Sequence, residues 1–564
     1  MPILNYKGLL ERDAWEAAGI KLPKYDPGAL AERTIKNPVW LHFSAGNLFR
    51  AYIASLQDKL LNEGFVDHGI ISVETYDPEI IDKVYTPHDN LCIVVTLKPE
   101  SGGAAANGGA RNNGVVISSV SKAYSTANAV GYEEVRRAFI NPGLQMVSLT
   151  VSEKAYSLRG ADGGFLPDVA TDIKNGPARP TNIMTVIATM LYERYKAGAF
   201  PIALASMDNC SRNGERLRSS VLEIVDLWTM RGLCMSGFAE WLNDESRVAF
   251  PWSMIDKITP WPSGSIAKRL EGSGIPDMAP VTTARGTVVA PFVNTEPFQY
   301  LVIEDAFPNG RPPLDKVGVI FADRETVNRA ERMKVATCLN PLHTSLAIFG
   351  LLLGFKSIAE EMKDSDLSAL IHRIAYDEGL PAVDDPGVID PIAFVEEVIN
   401  LRLPNPMIPD TPARIATDTS QKIAIRFGGT IRFHMERQTK EVSDNIIDKS
   451  TGLTGIPLVI AGWLRYLLAV DDNLRSFTPS PDPMLSILRD KLSQITIDAD
   501  GGAAIHDAEK IKAIIDPILS DKSLFGADLR AAGLTDKINA IFIEMLDGAG
   551  AVRRTLKKYL YKDC

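Results

Sequence analysis

Through the first half of the chain, short apolar runs rich in β-branched residues alternate with longer stretches that repeat at helical spacing. Val39-Trp40-Leu41-His42-Phe43 has the continuous apolar character of a strand buried on both faces. Leu48 to Leu61 then follows a 3.6-residue period, and Gly69 to Glu74 reads as a second strand. The same pattern predicts strands over Cys92 to Leu97, Val115 to Val120, Gln145 to Val151 and Pro201 to Ser206, the last preceded by a helix over Thr181 to Ala197. Strands separated by helices point to a mostly parallel sheet with helices packed on it. From about Arg324 the period becomes helical throughout, over Val327 to Ala336, Leu342 to Leu353, Asp366 to Tyr376, Pro391 to Asn400 and Leu453 to Leu468. The predicted fold is an α/β domain over residues 1–323 followed by an all-α domain over 324–564. Two stretches break the pattern: a glycine-rich run from Ser101 to Gly114, expected to be a mobile excursion between strands, and a loop at Pro260 to Ser265.

Length and composition narrow the function classes. A chain of 564 residues exceeds what one hydrophobic core usually spans, which agrees with two domains. With 45% hydrophobic and 23% charged residues it reads as globular, and a net charge of -10 argues against general binding to nucleic acid or anionic membranes. No uninterrupted apolar run approaches the roughly 20 residues that cross a bilayer. Met1 to Gly19 carries Glu11, Asp13 and Glu16 where a signal peptide would be apolar, so a cytoplasmic location is expected. The five cysteines are scattered, as are the seven histidines, and none falls at metal-ligand spacing; no metal is expected. Neither GxSxG nor a P-loop is present.

The segment Arg332-Met333-Lys334-Val335-Ala336-Thr337-Cys338-Leu339-Asn340-Pro341-Leu342-His343 places an amine, a carboxamide and an imidazole where a charged helix gives way to an apolar one. A lysine near apolar surface loses its proton more readily, Asn340 could donate to an oxygen that becomes negative, and His343 could orient the same hydroxyl. Each has a plainer reading: Asn340 as an N-cap before Pro341, Lys334 as a solvated lysine and His343 as a core histidine. The first strand and helix are joined by Ser44-Ala45-Gly46-Asn47-Leu48-Phe49-Arg50, a turn that could meet a pyrophosphate through backbone N–H groups, although only Gly46 survives from a GxGxxG-like pattern. Glu74 ends the second strand where a dinucleotide fold keeps its ribose acid. Glu74 or Asp77 could hydrogen-bond the ribose, and no arginine follows closely to meet a 2′-phosphate, which favours NAD.

Seven segments, in order, resemble the polyol-specific long-chain dehydrogenase/reductase family: HFSAGNLFRA from His42, VSLTVSEKAY from Val147, SMDNCSRNG from Ser206, FPWSMIDKITP from Phe250, EPFQYLVIEDAFPNGR from Glu296, the Lys334 segment, and RIATDTSQK from Arg414. The resemblance implies a Rossmann-type N-terminal domain, a helical C-terminal domain, and metal-independent hydride transfer with NAD in the cleft between them. It implies Lys334 as general acid/base, Asn209 and Asn340 as the pair that stabilises an alkoxide, His343 as a substrate-orienting group, and Glu331 as a route for the proton to solvent. Asp256 matches an acid near nicotinamide and substrate, and Arg414 and Lys422 match substrate-pocket positions. The cofactor turn is then Ser44, Gly46, Asn47 and Arg50. Ser44 stands where the family usually has its first glycine, and five residues separate Lys334 from Asn340 where four are more usual; a small bulge before Pro341 would absorb the difference. Arg426, four residues beyond Lys422, could pair with the carboxylate of a sugar acid. Within the resemblance the first expectation for substrate is therefore D-fructuronate/D-mannonate, with mannitol or another polyol second, and a non-catalytic NAD- or sugar-binding sensor as the alternative of another class.

Overall fold

The computed structural model describes residues 2–98, 113–443, 452–495, 497 and 507–561, without the side chains of 439–443. Apart from Asn113 and Gly114, the glycine-rich run lies outside the described residues. The chain divides into two compact units, Met1–Asn328 and Arg329–Cys564.

The first unit is built on a six-stranded sheet: β1 (Trp40–Phe43), β2 (Ile70–Glu74), β3 (Val120–Ser125), β4 (Met146–Leu149), β5 (Ile202–Ser206) and β6 (Val248–Ala249). Their order is β3-β2-β1-β4-β5-β6 and every pairing is parallel. Successive side chains point to opposite faces, and both faces are covered. Leu41, Phe43, Val73, Val147, Leu149 and Leu204 enter one apolar core, while Trp40, Ile70, Met146 and Ala205 enter another. That two-sided burial is why these strands read as continuous apolar runs. The strand order reverses between β1 and β4, so the chain leaves their carboxyl ends in opposite directions and a crevice forms there.

Two expectations are corrected here. The run Val115 to Val120 is not one strand, because Ser118 N–H donates to Asp58 Oδ1 at 3.0 Å and Ser119 Oγ to the Ala54 carbonyl at 2.7 Å. Those partners draw the backbone off a ladder, and the chain divides into Gly114–Ile117 and β3. In addition, Cys92–Thr96 is not in the main sheet. It pairs antiparallel with Gly114–Ile117 and parallel with Phe292–Thr295 in a separate four-stranded sheet. Strand type was legible from the residues, but the partner was not.

The second unit is helical, and its centre is the apolar helix Gly455–Leu467, buried along its whole length. The stretch Arg324–Leu353 is long and apolar enough by length and composition to cross a membrane, but 72% of its most apolar window is buried within the protein, which accounts for its character as core. The helix Thr419–Ser443 packs against both Met333–Cys338 and Asn340–Leu353, and the short helix Pro412–Ile415 packs on Asn340–Leu353. These contacts bring together three sequence segments that carry candidate site residues.

Candidate active site

In the first unit, Ser44, Gly46, Asn47 and Asn209 line one cavity of about 370 Å³ at the carboxyl edge of the sheet, with Thr150, Val151, Asp208 and Cys210. Ser44 has φ 117°, a conformation suited to glycine and strained for any residue with a Cβ. Its side chain gives something in return: Ser44 Oγ accepts from Gly46 N–H at 3.1 Å and fixes the turn. Glu74 braces the same turn. Its carboxylate accepts from Ala45 N–H at 3.2 Å, Tyr76 N–H at 2.7 Å and Asp77 N–H at 3.0 Å, while burial raises its pKa.

Two expected cofactor contacts turn out to be internal. Arg50 is 1% exposed and donates to the Ala290 carbonyl at 2.6 Å and to Asn47 Oδ1 at 2.8 Å, so it holds the turn from beneath. Asp77 is also 1% exposed, and its Oδ2 accepts from the hydroxyls of Thr283 at 2.6 Å and Thr287 at 2.7 Å. It anchors a hairpin. Asn209 is exposed at the end of β5, directly after Asp208. Asp208 was missed by sequence reasoning. It accepts from the Tyr156 hydroxyl, and burial pushes its pKa up to about 8, so the loop carrying Asn209 is fixed by a group that is mostly uncharged at neutral pH. Asp256 ends the strand Ser253–Asp256 and is buried near Tyr52, whose pKa rises through burial and then through this carboxylate.

In the second unit, Glu331 closes the helix Arg324–Arg332, and Lys334, 2% exposed, lies in the π-helical turn Met333–Cys338. That wider turn supplies the bulge the sequence called for: Leu339 N–H reaches the Lys334 carbonyl five residues back at 3.1 Å. Such turns are frequent at functional sites. The Thr337 hydroxyl, which donates to the Met333 carbonyl at 2.7 Å, adds to the local distortion. Asn340 opens the next helix, whose start has no side-chain cap, so the plainer N-cap reading does not hold.

His343 lies 4.0 Å from Asp410, measured from Nε2 to Oδ2. Burial lowers its pKa to about 4; Asp410 opposes this, and Arg402, Arg426 and Arg414 reinforce it. Arg414 is bound to Asp410, with Nε to Oδ1 at 2.7 Å. Arg426 donates to the hydroxyl of Thr344, and Lys422 to the Thr417 carbonyl. Burial, and then Arg426, lower Lys422 to about 8, whereas Arg426 falls only to about 10 and stays charged. A neutral imidazole thus lies beside the Asp410 carboxylate and within the field of Arg402, Arg414 and Arg426. Glu361 was not legible in the sequence. It is fully buried, neither carboxyl oxygen has a hydrogen-bond partner among the described residues, and burial followed by Asp410 raises it to about 9.

The strand order and its switch-point cavity define a Rossmann-type nucleotide-binding domain. Family models place the rest: the mannitol dehydrogenase Rossmann domain matches residues 39–316, and the mannitol dehydrogenase C-terminal domain matches 326–543. The chain is 46% identical to a D-mannonate oxidoreductase of Thermotoga maritima over 99% of both chains. It is 30% identical to a mannitol 2-dehydrogenase of Cereibacter sphaeroides over 83% of this chain and 87% of that one. A solved Pseudomonas fluorescens mannitol 2-dehydrogenase, in ternary complex with NAD and D-mannitol, shares the fold at TM-score 0.68 and 24% identity, covering 100% of both chains. The chain belongs to the mannitol dehydrogenase family and is an oxidoreductase acting on CH–OH groups, which sets aside the non-catalytic sensor.

Proposed function

We propose that this protein is a metal-independent, NAD-dependent reductase that interconverts D-fructuronate and D-mannonate. The observation that carries the sugar-acid reading is a group of neighbouring cations: Arg402, Arg414 and Arg426 act on His343, and Arg426 and Arg414 act in turn on Lys422. A polyol would give such a group no anionic partner, while a uronate carboxylate would engage it through charge-assisted hydrogen bonds. The D-mannonate oxidoreductase name of the 46% identical relative agrees. The mannitol 2-dehydrogenase name of the 30% identical relative supports the second reading, a polyol 2-dehydrogenase.

Residues 1–323 act as the dinucleotide-binding domain and 324–564 as the helical substrate and catalytic domain of a cytoplasmic enzyme. The cofactor turn fits a pyrophosphate: Gly46, Asn47 and Leu48 line the cavity where a helix begins, and Gly46 has no side chain to obstruct it. NAD, when bound, supplies the nicotinamide that carries the hydride. Lys334 takes the hydroxyl proton as the alcohol is oxidised and returns a proton as the ketone is reduced. The amides of Asn209 and Asn340 donate to the substrate oxygen as it gains negative charge, without changing charge themselves. His343 is neutral at working pH and orients the hydroxyl, and Glu331 passes the proton onward. Asp256 contacts the substrate, and Glu74 disfavours a 2′-phosphate.

The test is NADH oxidation by purified protein with fructuronate, tagaturonate, fructose and xylulose. Fructuronate is expected to give the highest kcat/KM. If fructose or xylulose does, the polyol reading replaces this one.

A further inference from the structure

Arg285 is exposed, and its Cζ lies 4.5 Å from the ring centroid of Tyr76, itself 63% exposed. Among the described residues the Arg285 side chain makes no hydrogen bond or ion pair. Tyr76 lies two residues beyond Glu74, which ends β2, on the side of the switch point where a dinucleotide fold places its adenosine.

The placement of Arg285 is constructed rather than incidental. It sits at the tip of a hairpin between Val281–Thr282 and Val288–Val289, with Gly286 at φ 80° making the turn. Thr283 N–H bonds the Thr287 carbonyl at 3.0 Å, and Gly286 N–H the Thr283 carbonyl at 3.0 Å. Both threonine hydroxyls are tied to Asp77, and Ala284 N–H donates to Glu79 Oε2 at 3.3 Å. Asp77 and Glu79 therefore fix the tip from the segment just beyond Tyr76. A buried acid committed to holding an exposed, unpaired arginine against an exposed tyrosine points to a ligand with a flat π face.

We propose that Tyr76 and Arg285 form a stacking platform for the adenine ring of the dinucleotide, an inference that rests on the NAD-dependent reading above. Adenine offers both faces to an aromatic ring or a guanidinium plane, and such stacking tolerates solvent exposure. It needs no hydrogen bond from Arg285, which suits an arginine oriented by its neighbour's ring.

The probe is ADP-ribose, with binding followed by calorimetry on the full chain. Arg285→Ala should raise its Kd by about 5- to 100-fold, the range for losing one base-stacking partner. Arg285→Lys should resemble Arg285→Ala, since an ammonium keeps the charge but not the plane. Reduced nicotinamide mononucleotide, which lacks adenosine, should bind wild type and both variants equally. An unchanged ADP-ribose Kd in Arg285→Ala overturns the platform. So does full recovery in Arg285→Lys, which would mean charge attraction, or a loss confined to 2′-phospho-ADP-ribose, which would mean phosphate pairing. If wild type itself fails to bind ADP-ribose, the nucleotide reading fails, and that outcome is separate from any behaviour of Arg285.

Discussion

The carboxyl edge of the parallel sheet and the charged helix face of the second unit are built from opposite materials. At the sheet edge, position is set by the backbone: Ser44 and Glu74 hold amides of the turn, Arg50 and Asp77 are buried, and Asp208 is mostly neutral. In the second unit, Arg402, Arg414 and Arg426 act on a neutral His343, and burial lowers both Lys422 and Arg426. Like charges held close together cost stability, and Asp410, bound to Arg414, offsets part of that cost. On the proposed reading, the sheet edge provides a shape for a cofactor, and the helical unit provides a charge for a substrate.

That contrast breaks most sharply at Lys334. Lys334→Ala should lower kcat by about 10² to 10⁴, the usual loss for a general acid/base, while NADH affinity measured by fluorescence stays within about threefold. A variant retaining half the wild-type rate would remove Lys334 from the chemistry. The next effect is one of pH. Lys422 is cationic below about 8, so the uronate KM should climb as pH rises past that value, by several-fold if one charge-assisted contact is lost. KM for a polyol ketone over the same range should stay flat; parallel rises for both would separate Lys422 from the carboxylate. The smallest effect belongs to the sheet edge. At φ 117° a glycine escapes the strain a Cβ suffers, so Ser44→Gly should be more stable than Ser44→Ala by about 1 kcal/mol in chemical denaturation, although glycine usually costs stability. The reverse order would show that the turn relaxes to a different backbone.

Why some of this was legible in the sequence and some was not follows from the range of the interactions. β1 and β2 were readable because burial on both faces leaves little but apolar residues, and the second unit because its helices keep a 3.6-residue period. The family motifs carried Lys334, Asn340 and His343 to one stretch of chain, and the bulge before Pro341 was foreseeable from spacing. The roles of Arg50 and Asp77 were not, since what decides them is a partner far along the chain: the Ala290 carbonyl for one and the Thr283 and Thr287 hydroxyls for the other. Arg285 escaped for the same reason. No arginine follows Glu74 closely in the sequence; Arg285 arrives from a distant hairpin. Glu361 had no signal at all, because a Glu-Glu pair in a helical stretch, here Glu360-Glu361, ordinarily reads as solvated surface.

The charge contrast between the two regions stands or falls with Arg426, half-buried and bonded to Thr344 beside His343. The decisive measurement is kcat/KM for fructuronate and for fructose in wild type and in Arg426→Ala. A carboxylate held by this guanidinium predicts a loss of about 10- to 150-fold for fructuronate with fructose nearly unchanged. Equal losses for both substrates, or a wild type that prefers fructose, would contradict the sugar-acid reading.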